Sequence, residues 1–196
     1  MSKKIKHELD IAKYTKAIEQ NPESSGAYNN RANVYYREGL YDLAIADYTK
    51  AIEIKPDYFL YYNNRGNVYQ QIEEYELAIA DYDKAIELNP NNGMPYNNRG
   101  FAFLMLGKLD DAEKDLRKSL DLNANNIYAL NSMAELYAAR NNAEEACKWL
   151  MKAVEKGYNN WTYIRTSKTY DNIRSSECFG KIEQKSRRAE EQKGKS

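Results

Sequence analysis

One histidine and two cysteines are all that this chain of 196 residues holds of imidazole and thiol side chains. His7 stands without a histidine, cysteine or carboxylate cluster around it and reads as a solvated surface residue. Cys147 and Cys178 form no CxxC motif and no framework, so the reading is two free thiols in a reducing, cytoplasmic compartment. No Cys/His group has zinc spacing, and no HExxH, GxSxG, GxGxxG or Walker-type loop occurs. The expectation is a non-catalytic protein with no metal and no cofactor. Charge of one sign is also missing: Lys+Arg and Asp+Glu both number 29. Zero net charge gives no electrostatic case for nucleic acid, which usually needs a basic face, so none is expected as a partner. No run of about 18 apolar residues exists to span a membrane. The opening residues, Met-Ser-Lys-Lys-Ile-Lys-His, lead into no apolar stretch, so no signal peptide is expected.

What the chain has in quantity is repetition. Tyr62-Asn63-Asn64-Arg65-Gly66-Asn67-Val68-Tyr69 occurs almost unchanged from Tyr28 to Tyr35 and from Tyr96 to Phe103, and in worn form from Leu130 to Tyr137. The copies start at Tyr28, Tyr62, Tyr96 and Leu130, an even step whose length marks stacked helical repeats. Repeats are read over 25–58, 59–92, 93–126 and 127–160, each as helix, turn, helix, turn. Apolar and aromatic residues recur at the spacing of an amphipathic helix, among them Tyr28, Tyr35, Tyr41 and Tyr48, and in the next repeat Tyr62, Tyr69, Tyr75 and Tyr82. Gly39 and Gly107 stand where the first helix ends. Pro22, Pro56 and Pro90 close the second helix. Glu73-Glu74 and Asp110-Asp111 read as acidic helix starts that favour the positive end of the helix dipole.

Small residues fall where two helices must cross: Ala32, Gly66, Gly100 and Ala134 in the first helix, Ala44, Ala78, Ala112 and Ala146 in the second. A larger side chain there overpacks the crossing. Arg31, Arg65 and Arg99 are each followed, at one constant distance along the chain, by an aspartate: Asp47, Asp81 and Asp115. In the fourth repeat both positions change together, to Met133 and Trp149. The spacing predicts an Arg–Asp pair inside each of three repeats and an apolar pair in the fourth.

The period and the small and aromatic positions together resemble the tetratricopeptide repeat (TPR), over about residues 8–160. That family usually has leucine where Arg31, Arg65 and Arg99 stand. The resemblance implies an all-α fold, a right-handed solenoid of antiparallel helix pairs. Residues 1–24 hold one helix that matches the second helix of a repeat, either an N-terminal cap or the remnant of a truncated array. After Gly157 the period breaks. The stretch from Gly157 through Trp161 and Ile173 to Phe179 resembles the C-terminal extension of many bacterial TPR proteins. It is read as short helices over 161–185 that cover the end of the last repeat. Residues 186–196 show no apolar periodicity and are expected to be a disordered tail.

The family resemblance also implies that the first helices line a concave groove. The positions facing it are then Asn29, Asn33, Asn63, Asn64, Asn67, Met94, Asn97, Asn98, Phe101, Leu104 and Met105, with Tyr128, Asn131, Ser132 and Glu135 in the last repeat. The asparagines form an amide ladder able to bond an extended peptide backbone. Met94, Phe101, Leu104 and Met105 form an apolar zone for anchoring side chains. The alternatives are that the amides cap and solvate helices and that residues 161–182 cover the apolar zone. Family members that grip the C-terminal carboxylate of heat-shock chaperones use two asparagines, matched by Asn33 and Asn64, with basic residues whose positions here hold Asn29, Met94 and Asn98. Without those cations the clamp lacks its charge-assisted bonds. The expected function is binding a protein or peptide partner in the groove, as adaptor, scaffold or co-chaperone. The alternative is a homo-oligomeric scaffold that self-associates.

Overall fold

The computed structural model describes residues 3–193. Their contacts divide into two compact units, one ending at Ala102 and one beginning at Phe103. Among the described residues there are helices and turns and no strands. The fold is all-α, built of consecutive helix hairpins.

The first unit contains α1 (Lys3–Gln20), α2 (Ser25–Arg37), α3 (Tyr41–Ile54), α4 (Phe59–Gln71), α5 (Tyr75–Leu88) and most of α6 (Gly93–Met105). α2 pairs with α3 and α4 with α5, while α1 packs on α2 and α3 on α4. The crossings close on small residues. Ala32 and Ala44 are fully buried with Tyr48 and Val68, and Ala78 and Ala102 with Tyr82. At Gly66 the fit is tighter still: an added Cβ would stand 2.7 Å from the Tyr82 ring.

The predicted arginine pairs form in the first two repeats. Arg31 donates through Nε and Nη2 to both Asp47 carboxylate oxygens at 2.7 and 2.8 Å, and Arg65 does the same to Asp81 at 2.8 and 2.7 Å. These aspartates raise the arginine pKa values, chiefly through the hydrogen bonds and against the cost of burial. The third donor carries a contact that the sequence reading did not foresee. Arg31 Nη1 reaches Thr15 Oγ1 at 3.0 Å and Arg65 Nη1 reaches Thr49 Oγ1 at 2.9 Å, each on the preceding second helix. Arg99 Nη1 reaches Asp83 in the corresponding place, at 2.5 Å. Each guanidinium thus ties its own hairpin to the one before.

The turn that ends each first helix has one residue in the left-handed region. It is Gly39 in the first repeat, at φ 74°, and Glu73 in the second, at φ 64°. Glycine takes this conformation without penalty and glutamate does not. Glu73 therefore lies beyond the end of α4, not at a helix start as its sequence implied. Glu74 is the residue that precedes α5.

The second unit contains α7 (Leu109–Leu122), α8 (Ile127–Ala139), α9 (Ala143–Glu155), α10 (Trp161–Thr166), a 3₁₀ segment (Lys168–Ile173) and α11 (Glu177–Lys193). Its core joins Leu130, Ala134, Ala146, Leu150 and Ala153 of the fourth repeat to Trp161, Ile164, Tyr170, Ile173, Phe179 and Ile182 of the extension. Met133, at the arginine position, is fully buried, and Trp149, at the aspartate position, packs half-buried against this core.

The backbone keeps the period that the sequence loses. α10 begins at Trp161, one repeat period after α8 begins at Ile127, and α11 begins at Glu177, one period after α9 begins at Ala143. The capping side chains keep step as well. Asn126 and Asn160 cap α8 and α10, and Asn142 and Ser176 cap α9 and α11. The extension is a fifth hairpin whose first helix breaks after Thr166 and continues as a 3₁₀ turn.

Two expectations are corrected here. The helix α11 continues through the stretch read as a disordered tail from 186, and ends at Lys193; residues 194–196 lie outside the described residues. The cysteines are not two free thiols. Cys147 of α9 and Cys178 of α11 are joined in a disulfide, their Cα atoms 6.0 Å apart. Linear spacing gave no motif because the pairing arises from packing one second helix on the next.

Candidate functional site

The asparagines of the first unit do share one face, and they are bonded to one another. Asn64 Nδ2 donates to Asn29 Oδ1 at 3.1 Å, linking α4 to α2. Asn98 Nδ2 donates to Asn63 Oδ1 at 3.1 Å and to Asn67 Oδ1 at 2.9 Å, linking α6 to α4. Asn29 reaches on to Asn30, and Asn97 donates to Asn98 Oδ1. Tyrosines from the second helices support the wall from behind. Tyr48 Oη donates to Asn33 Oδ1 at 2.7 Å and Tyr82 Oη to Asn67 Oδ1 at 2.9 Å. Burial raises both phenols well above the usual tyrosine range, so they remain donors.

Burial sorts the candidate residues. Met94 is exposed, and Asn29, Asn33, Asn64, Asn67, Asn98 and Phe101 are half-buried. Asn63 and Asn97 are buried and are corrected from ligand-facing to structural. For Asn63 the cause is the next repeat: Asn98 bonds its oxygen, and Met94 Sδ lies 3.4 Å from its nitrogen. Leu104 is also buried and offers no open surface, while Met105 is exposed.

In the second unit the corresponding face is occupied. Asn131, Ser132 and Glu135, expected to face a groove, are buried. Glu135 Oε1 accepts from Tyr163 Oη at 2.5 Å and from Thr169 Oγ1 at 2.8 Å, and its Oε2 accepts from Asn131 Nδ2 at 3.0 Å. Tyr170 Oη donates to Asn131 Oδ1 at 2.9 Å. Burial pushes the Glu135 carboxyl up to about 7, against the lowering effect of these three donors. Within this unit the fifth hairpin itself fills that face. Tyr128 stays open, its ring edge-on to Tyr158. Among the described residues no cluster of His, Cys, Asp and Glu is placed to hold a metal ion.

Comparison with known proteins agrees with this geometry. Models of the family described as tetratricopeptide repeat match residues 25–58, 59–92 and 81–114. No curated protein matches the chain. Among solved structures, the first TPR of Spaghetti (RPAP3), bound to the HSP90 peptide SRMEEVD, is 31% identical with a TM-score of 0.57, over 59% of this chain and 92% of its own. YrrB, described as a TPR protein with an unusual peptide-binding site, is 26% identical with a TM-score of 0.61, over 84% and 86%. TTC0263 of Thermus thermophilus, a thermophilic TPR protein, shares the fold with a TM-score of 0.70 at 22% identity, over 80% and 86%. The repeat period, the paired helices and these matches agree, and the chain belongs to the tetratricopeptide-repeat family of protein-interaction modules.

Proposed function

We propose that the first unit binds an extended peptide segment of a partner protein along the amide wall of α2, α4 and α6, and that the protein is a non-catalytic adaptor, scaffold or co-chaperone. The observation that carries this reading is the chain of amide bonds from Asn29 through Asn64 and from Asn63 through Asn98. It fixes the amides before any ligand arrives, which lowers the ordering cost of binding. Asn64 engages one N–H in this chain. Its second N–H and its carbonyl are the groups that pair with a peptide backbone. Met94, 45% exposed, and half-buried Phe101 provide apolar contact beside it.

A ligand ending in acidic residues, like the peptide held by the RPAP3 domain, is disfavoured. The clamp's basic positions hold Asn29, Met94 and Asn98, and Arg31 and Arg65 are committed to Asp47 and Asp81. The ligand expected here is neutral, read by its backbone and one or two apolar side chains. The cysteine pairing removes the sequence-based ground for a reducing cytoplasm. A self-associating scaffold is the second reading, favoured by exposed Ile5 and Leu9 on α1.

The test is to select peptides from a displayed random library against the full chain and measure their affinity by calorimetry. Asn64→Ala and Phe101→Ala should each weaken binding about tenfold with unchanged helicity, in line with a lost hydrogen bond or apolar anchor. Unchanged affinity in both variants removes the reading. Light scattering separates the alternative: a concentration-dependent dimer lost in Leu9→Glu favours self-association.

A further inference from the structure

Besides the apolar core it shares with the fourth repeat, the fifth hairpin is held on α8 and α9 by two further devices of different kind. One is the polar seat: Tyr163 and Thr169 on Glu135, and Tyr170 on Asn131. The other is the covalent bond from Cys147 in α9 to Cys178 in α11. The polar seat is a weak fastener. It buries the Glu135 carboxyl among three neutral polar partners, and such a group recovers its hydration when the seat opens. The first helix of this hairpin is also interrupted at Ser167, so its backbone is less regular than that of the four repeats before it. The disulfide therefore adds to the resistance to opening that the apolar core gives.

We propose that the Cys147–Cys178 bond is a redox-operated clasp, which sets how often the fifth hairpin leaves α8 and bares Asn131 and Glu135. The geometry favours reversible chemistry. Cys147 is buried, whereas Cys178 is half-buried and is the more exposed of the two, its Sγ beside Ser176 Oγ at 3.2 Å. Cys178 is the second residue of α11, a helix of 17 residues. The partial positive charge of that helix end stabilises a thiolate there and so favours the reduced form. A dithiol reductant attacks Cys178 Sγ; the S–S bond breaks, and Cys147 leaves as a thiolate that takes a proton from solvent. The second thiol of the reductant then attacks the mixed disulfide and releases Cys178. One dithiol is oxidised to a disulfide and the protein disulfide becomes two thiols. The apolar residues of the hairpin keep the reduced form mostly closed, so the change is in opening frequency and not in the closed structure. This inference does not depend on the peptide-binding reading, because it concerns access to α8 alone.

Hydrogen–deuterium exchange of the full chain tests it, with dithiothreitol against oxidised glutathione as the two conditions. In the reduced chain, amides of 127–139 and 161–187 should exchange up to several hundredfold faster, roughly the scale set by releasing a loop of this length. Amides of α2–α5 should be unchanged. Cys178→Ser should behave as the reduced chain in both buffers, and Cys147→Ala provides the same test should Cys178→Ser fail to fold. Equal rates in the two buffers overturn the proposal. So does an equal rise across α7 and α9, which means that the whole unit unfolds. Two alkylatable thiols after equilibration with oxidised glutathione overturn it also.

Discussion

Asn63 and Asn131 hold the same place in their repeats, two periods apart, and both are buried, yet they are covered from different sources. The Asn63 carbonyl is met by Asn98 of the following repeat, and the Asn131 carbonyl by Tyr170 of an irregular terminal hairpin. The register shared by Asn33, Asn67 and Glu135 shows the same contrast. Asn67 accepts from Asn98 of the following repeat and from Tyr82 of its own, whereas Glu135 accepts from Tyr163 and Thr169 of the extension. The comparison teaches how this array ends. A repeat presents acceptors that its successor must satisfy, and the last repeat obtains hydroxyl donors from a hairpin that keeps the period but not the repeat residues. Where successors are regular, part of the amide wall stays half-open; where the hairpin sits, the face is filled.

The largest expected effect lies in the first unit. Arg65→Ala leaves Asp81 buried without its cation and should destabilise by about 3–5 kcal/mol, seen as an earlier urea transition by circular dichroism and as lost exchange protection in α4 and α5. Met133 and Trp149 show that an apolar pair serves the same positions, so Arg65→Met with Asp81→Leu should recover more than half of that loss. A double variant as unstable as the single one would break the equivalence of the two regions.

The next effect belongs to the second unit. The folded chain holds a proton on Glu135 up to about pH 7, whereas an unfolded glutamate releases it near 4.5. A carboxyl raised in this way contributes stability that is complete below the unfolded value and is lost as pH rises through the folded one. The loss amounts to about 3 kcal/mol. Both tryptophans of the chain, Trp149 and Trp161, lie in this unit, so their fluorescence in urea melts at pH 5 and pH 8 reports it. Stability should fall between the two, and Glu135→Gln should flatten the difference. A rise with pH would reverse the assignment.

Smaller effects sharpen the account of the amide wall and the turns. Asn98→Ala removes the donor to buried Asn63 and to Asn67 and should cost about 1–2 kcal/mol by chemical denaturation. Glu73→Gly relieves a glutamate held at positive φ and should stabilise by about 1 kcal/mol, raising the melting temperature. The same substitution at a helical residue has the opposite sign.

Much of the fold was legible because its determinants repeat. The period, the small residues at crossings and the constant Arg–Asp spacing recur in several copies, and each copy checks the others. The threonines that take the third arginine donor went unread, although Thr15 and Thr49 recur at the same period. The fifth hairpin was hidden because Lys168 replaces the small crossing residue and the first helix breaks. Its remaining signals were the caps, Asn126 with Asn160 and Asn142 with Ser176, each pair one period apart. The candidate site was legible in its residue types but not in its burial. Asn63, Asn131 and Glu135 are covered by side chains from later in the chain, and no pattern local to their own helix states that.

The most direct test of a docking wall confined to the first unit is nuclear magnetic resonance of the full chain with a library-selected peptide. The account predicts shifts at the side-chain amides of Asn29, Asn64 and Asn98 and at the Met94 methyl, with Asn131 unmoved while the disulfide is closed. Shifts centred on α8, or on the outward residues of α3 and α5, would contradict it.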